Sequence, residues 1–161
     1  MDNDDATNLY LVQHARALTK DEDSSRPLSK QGVADMHRVI KLLSKRKDVV
    51  RVREIRHSGK LRSQQTAELL CEAVETKHGL VEDAYLVPNA DPSVWAGMLL
   101  GCAEDLMIVG HMPHLAKLAE RLFVMGYATK KRPELTFKNG GVICLCRNEM
   151  GVWRKRWAVT P

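Results

Sequence analysis

The stretch 9–16, LYLVQHAR, decides how this chain is read. Leu9, Tyr10, Leu11 and Val12 form a short apolar run near the N-terminus, the pattern of a strand buried on both faces of an α/β sheet. Gln13, His14 and Ala15 follow at its carboxyl end, and in open α/β sheets that end binds ligands. His14 by itself reads equally as a residue that merely finishes a strand. A second stretch repeats the arrangement: 105–109, DLMIV, is another buried-strand pattern, and Gly110 and His111 follow it directly. Two histidines at the ends of two apolar strands weigh for a site.

The segments between these strands supply the rest of an α/β chain. A polar stretch from Leu18 to Ser29 reads as a loop leaving from the His14 end, and it carries Arg26 and Pro27. Ser29 is a good helix cap, and Val33, Met36, Val39, Ile40, Leu42 and Leu43 then recur with helical spacing up to the basic run at Lys45. A second strand is expected near Val52 to Arg56, with His57, Ser58 and Gly59 as its exit turn. A helix follows from about Lys60 to Thr76 with Arg62 in its first turn, where backbone N–H groups and the helix dipole already favour an anion. A lone arginine there also reads as a surface cation. Leu80 to Leu86 reads as a short strand, Pro88 to Pro92 as a turn and Pro92 to Leu100 as a helix. Pro113 fits an early position of a helix that continues through Phe123. Val142 to Arg147 and Val152 to Ala158 read as a hairpin that carries the sheet to its edge.

Composition bounds the function classes. With 161 residues, 44% hydrophobic and 28% charged, the chain is expected to be one domain, 1–161, burying roughly two-thirds of its unfolded surface. No apolar run approaches the roughly 18 residues of a membrane span, and the acidic start MDNDDATN lacks the regions of a signal peptide, so the expected location is cytoplasmic, without membrane association. Cys71, Cys102, Cys144 and Cys146 form no paired metal motif and are expected to be reduced structural thiols. The formal charge is +5, with basic groups at 45–47, 51–56, 130–132 and 154–156. No nucleic-acid motif accompanies them, and three Tyr, three Trp and two Phe leave few rings for base stacking, so nucleic acid is disfavoured. Anionic partners or substrates are the inference.

His14, Arg62 and His111 thus converge on one crevice from three strand ends. A histidine nitrogen is a competent nucleophile toward phosphorus, cationic donors neutralise the transferring oxygens, and a second histidine can stabilise the same charge or move a proton. There is no Gly-rich phosphate loop and no carboxylate cluster for a metal, so the expected chemistry is phosphoryl transfer with neither metal nor cofactor.

The motifs resemble, in order, those of the histidine phosphatase superfamily, related to phosphoglycerate mutase, and within it the short SixA-type phosphohistidine phosphatases. LYLVQHARA is similar to that group's strand and nucleophile motif, RPLSKQG to its loop and first helix, and SGKLRSQQTAELL to its arginine segment. VGHMPHLAKLAERL resembles its second-histidine segment, and 140–161 its closing strands. The resemblance implies a three-layer α/β/α sandwich with a mostly parallel central sheet. It implies that His14 accepts a phosphoryl group whose oxygens are bound by Arg62 and His111, with water freeing His14 afterwards. The expected substrate is phosphohistidine on a partner protein. The alternatives are a small phosphate ester and a phosphate-binding module with weakened catalysis.

Beside a smaller departure at Met112 and His114, one departure from the family pattern is serious. The superfamily places an arginine immediately before the nucleophilic histidine, and this chain has Gln13. An amide still donates hydrogen bonds to phosphate but lacks charge and the guanidinium fork. Arg16 and Arg26 are candidates to replace that charge, and both also read as solvated loop cations. Glu82 and Asp83 lie in the region where mutase-like members carry a general acid, though solvent-exposed charge is the default reading of both. His114, in HMPH, is expected to line the pocket or the surface rather than bind metal.

Overall fold

A computed structural model describes residues 6–125 and 132–161. In chain order the elements are β1 (Thr7–Gln13), α1 (Lys30–Ser44), β2 (Val50–Val52), β3 (Ile55–His57), α2 (Leu61–Leu70), β4 (Val74–Thr76) and β5 (Leu80–Glu82). A 3₁₀ turn (Ala84–Leu86), α3 (Pro92–Leu100), β6 (Leu106–Gly110), α4 (His114–Met125), β7 (Val142–Arg147) and β8 (Trp153–Val159) complete the chain. Six strands form one sheet in the order β5-β3-β6-β1-β7-β8. β5, β3, β6 and β1 run parallel, and β7 and β8 close the edge as an antiparallel hairpin.

The middle of β1, Leu9 to Val12, is apolar and buried because helices cover both of its faces. Tyr10 and Val12 join Met36, Val39 and Leu43 of α1 and Ala67 and Leu70 of α2 in one core. Leu9 and Leu11 point the other way, into a second core with Trp95 and Leu99 of α3 and Leu115, Leu118 and Leu122 of α4. The result is the expected α/β/α sandwich. Each fully buried Leu or Ile contributes about 1.5–3 kcal/mol of transfer free energy, so the two cores hold the sheet between its helices.

The helices begin where the side chains allow. The Ser29 hydroxyl caps α1 by accepting from Gly32 N, and Asp91 caps α3 by accepting from Ser93 N, with Pro92 opening the helix. Gly32 has a further role, because a Cβ there would stand 2.1 Å from the Arg16 carbonyl oxygen. Its absence lets α1 lie against the loop that leaves β1.

Several sequence expectations need correction. The strand near Val52 to Arg56 is two strands in two sheets: β2 pairs with β4, and β3 enters the main sheet beside β6. The break falls where Arg53 N donates to Asp105 O and the buried Glu54 carboxylate accepts from Arg56. The helix expected to reach Thr76 stops at Leu70, because Val74–Thr76 pairs in parallel with Val50–Val52. The strand expected over Leu80 to Leu86 ends at Glu82, where Asp83 caps the 3₁₀ turn. Pro113 precedes α4 rather than lying within it, and Leu42 is exposed on α1. All four cysteines are free thiols. Lys130 and Lys131 lie outside the described residues, while Arg132 pairs with Glu120 at 3.2 Å. Among the described residues, no helix is long and apolar enough to cross a membrane.

Candidate active site

The register of the sheet assembles the site. Gln13 at the end of β1 pairs with Gly110 at the end of β6, so the next residues, His14 and His111, leave neighbouring strands side by side. Their ring centroids are 4.9 Å apart at an interplanar angle of 54°. β3 lies on the other flank of β6 with His57 opposite Val109, which brings Ser58 up beside His111. The turn after β3 then leads directly into α2, whose first turn carries Arg62.

His14 is fixed through its backbone. Its N–H donates to Gly110 O at 3.0 Å, its carbonyl accepts from Asn139 Nδ2 at 3.0 Å, and the following Ala15 N–H donates to Thr66 Oγ1 of α2 at 3.0 Å. Its ring Nδ1 stands 2.7 Å from the Ala15 carbonyl oxygen. A carbonyl only accepts, so Nδ1 carries the proton and Nε2 carries the lone pair. Burial lowers the imidazole pKa from 6.5 to about 4, against the pull of the Ala15 bond and assisted by the nearby Arg62 and Arg26 charges. His14 is therefore neutral at physiological pH, with a free nucleophilic nitrogen.

His111 is oriented by Ser58. Its Nε2 lies 2.6 Å from the buried Ser58 Oγ, which also accepts a long bond, 3.4 Å, from Lys60 N. Among the described residues His111 Nε2 is the one acceptor within reach of the Ser58 hydroxyl proton, so the hydroxyl donates to Nε2 and the remaining ring proton sits on Nδ1. Burial, with the neighbouring His14, Arg62 and Lys60 charges, lowers the His111 pKa from 6.5 to about 3. Nδ1 of His111 and Nε of Arg62 are both buried without a hydrogen-bond partner among the described residues. Unspent buried donors are costly, and an oxyanion would satisfy both.

Arg26 reaches the same centre from the β1–α1 loop. Its backbone is left-handed, φ 50°, and its Nε donates to Leu18 O at 3.0 Å. Its charge lowers the pKa values of both His14 and Arg62. Arg26 and Arg62 share a cavity of about 370 Å³ with Lys20, Ser24, Ser25, Lys60, Leu61 and Pro88. Arg16 stands apart: its side chain is exposed, and its carbonyl accepts from Ser29. Gln13 is half-buried at the end of β1, its carbonyl accepting from Gly140 N at 2.9 Å.

The two carboxylates have other partners. Asp83 is buried, accepts from Arg56 at 3.1 Å and caps Tyr85 N at 2.8 Å. Glu82 is exposed and lies over Gly59, where a Cβ would stand 2.4 Å from its Oε1. Gly59 has φ 79°, a backbone conformation that favours glycine, while the exposed Glu82 carboxylate beside it is a flexible end free to move. His114 is wholly buried in the first turn of α4, with neither ring nitrogen bonded among the described residues, instead of lining the pocket or the surface. Among the described residues, no group of three or more His, Cys, Asp or Glu side chains gathers to hold a metal ion. Ser58, Thr66 and Asn139 are structural partners of the two histidines that strand-end reasoning did not single out.

No family model and no curated protein matches the sequence. Solved structures do match the fold. The protein histidine phosphatase SixA, complexed with tungstate, superposes with a TM-score of 0.75 at 20% identity, over 96% of this chain and 97% of that one. A SixA from Agrobacterium tumefaciens gives 0.73 at 22% identity, over 96% and 98% of the two chains. A mycobacterial glucosyl-3-phosphoglycerate phosphatase gives 0.63 at 13% identity, over 96% and 100%. The fold that the chain shares with these structures is the phosphoglycerate mutase-like one. Within that fold the chain is similar, over nearly its full length, to the short SixA structures.

Proposed function

We propose that this protein is a phosphohistidine phosphatase acting through a covalent phospho-His14 intermediate. The observation that carries the reading is the pairing of a neutral His14, its Nε2 lone pair free, with unspent buried donors on His111 Nδ1 and Arg62 Nε. The likeness to SixA, solved with the oxyanion tungstate, supports the same chemistry.

The steps balance without a protein acid. The His14 Nε2 lone pair attacks phosphorus while the bond to the substrate imidazole breaks. That imidazole, already protonated on its other ring nitrogen, leaves neutral. Phospho-His14 becomes the cationic ring, stabilised because Nδ1–H donates to the Ala15 carbonyl at 2.7 Å. Arg62, Arg26 and the His111 Nδ1–H neutralise the equatorial oxygens, with the Gln13 amide as a weaker neighbour. Water then attacks phosphorus, the electron pair returns to His14 Nε2, and both water protons depart with dihydrogen phosphate.

A phosphate ester would need an acid for its alkoxide, and Asp83 is engaged by Arg56 and the Tyr85 amide. This favours a phosphorus–nitrogen substrate over the small-ester alternative, although a small-ester phosphatase shares the fold. The test is a comparison of turnover on a phosphohistidine-bearing carrier protein and on p-nitrophenyl phosphate, each with tungstate as competitor. Faster release from the carrier, blocked by tungstate, is expected. Ester hydrolysis that outpaces it and collapses in Glu82→Gln would favour the ester reading. Tight carrier binding without phosphate release would favour the recognition module.

A further inference from the structure

We propose that the cationic cavity beside Arg62 receives an acidic side chain flanking the phosphohistidine, so that the substrate surface is an acidic protein segment. The inference rests on the proposed phosphohistidine substrate and names its surroundings.

The cavity of about 370 Å³ is lined by Lys20, Arg26, Lys60 and Arg62 with the hydroxyl residues Ser24 and Ser25, and no carboxylate lines it. Among the described residues, none of these four cations has an Asp or Glu oxygen within ion-pair distance. This is not for want of acids nearby, since the same loop carries Asp21, Glu22 and Asp23. Two of them bond within the loop: Glu22 accepts from Thr19 N and Oγ1 at 2.8 and 3.1 Å, and Asp23 accepts from Ser25 N and Oγ at 2.9 and 2.6 Å. These two of the loop's three carboxylates fix its own turns, while the cavity's cations have no ion-pair partner among the described residues.

The cavity lies beside the histidine pair: Arg62 in its lining opens α2 directly after the turn that carries Ser58, the hydrogen-bond partner of His111. A phosphoryl dianion is matched by Arg26 and Arg62. Lys20 and Lys60 remain, both on exposed stems at the rim, where flexible point charges suit a carboxylate arriving with the substrate. Like-signed cations held together without a counter-ion are a standing repulsion that an acidic ligand relieves.

The experiment uses two phosphohistidine peptides of equal length, one with Asp and Glu flanking the modified residue and one with Gln and Asn. Turnover is measured on the wild type, and binding on His14→Ala, which cannot transfer the group. The acidic peptide is expected to be favoured about three- to thirtyfold in kcat/KM and in Kd, the worth of two partly exposed ion pairs. The preference should shrink in about 0.5 M salt, where screening is short-ranged. It should largely vanish in a Lys20→Gln, Lys60→Gln double variant, read as the ratio between the two peptides in kcat/KM and, on the His14→Ala background, in Kd, so that any effect of Lys60 on His111 cancels. Equal handling of both peptides, or a preference that survives in the double variant, overturns the inference. If the wild type hydrolyses neither peptide while His14→Ala still prefers the acidic one, the phosphatase reading fails and the acidic-segment inference stands.

Discussion

The His14 and His111 rings stand 4.9 Å apart because Gln13 and Gly110 are register partners at the ends of two parallel strands. A one-residue slip would turn one of the two residues to the other face of the sheet. The buried runs LYLV and LMIV therefore set the geometry of the histidine pair as well as the core.

This pairing sets the pH dependence. The nucleophile must be neutral, and burial lowers the His14 pKa to about 4 and the His111 pKa to about 3. On the acid side, where the free enzyme's histidines would titrate, kcat/KM should hold down to about pH 5.5 and fall only as pH approaches 4. A half-maximal acid limb near the ordinary histidine value of 6.5 would contradict the assignment.

Stability should follow the same groups. His14, His57, His111 and His114 all have folded pKa values below the unfolded 6.5, so the unfolded chain takes up more protons as pH falls. Stability from these four histidines is complete above about 6.5 and is lost as pH drops from there toward about 4. Urea midpoints at pH 7.5 and pH 5 measure this, with the lower midpoint expected at pH 5. An unchanged midpoint would show that the histidines are not buried neutral.

Ser58 is expected to act through His111. Ser58→Ala removes the hydroxyl 2.6 Å from Nε2 and frees the ring to exchange tautomers. kcat should fall at least about tenfold, up to the 10² to 10³ typical of a lost oxyanion donor, with KM little changed. Ser58→Thr should recover most of the loss. Nitrogen NMR of the His111 ring reads the tautomer directly and separates orientation from simple destabilisation.

Gln13→Arg should raise turnover, by up to about tenfold to a hundredfold, because it adds a charged fork beside His14. Melting temperature measured alongside controls for folding. A rate that stays level or drops would mean that Arg26 already supplies the charge missing at position 13.

The strands and helices that were legible in the sequence are those whose pattern is local. β1, β6, α1, α3 and the β7–β8 hairpin could be read because apolar runs, the Ser29 cap and the proline at position 92 announce them. β4 could not, since Leu69 to Val74 continues a helical pattern and only Val50, 24 residues away, turns Val74 into a strand. Strand-end logic located His14, Arg62 and His111 together. Asp83 looked available because its partner, Arg56, lies 27 residues earlier and reaches it only through the β3–β5 pairing. Ser58 had a signal in its place, directly after the strand residue His57, but a serine in a turn is too common to separate from solvent.

The central claim is that His14 takes the phosphoryl group. The most direct measurement mixes the protein with a ³²P-phosphohistidine carrier, quenches in alkali within the first turnovers and follows label on the chain. Wild type should carry transient, acid-labile label that maps to His14, and His14→Ala should carry none and release no phosphate. Phosphate release with no labelled enzyme, or undiminished release by His14→Ala, would contradict the account.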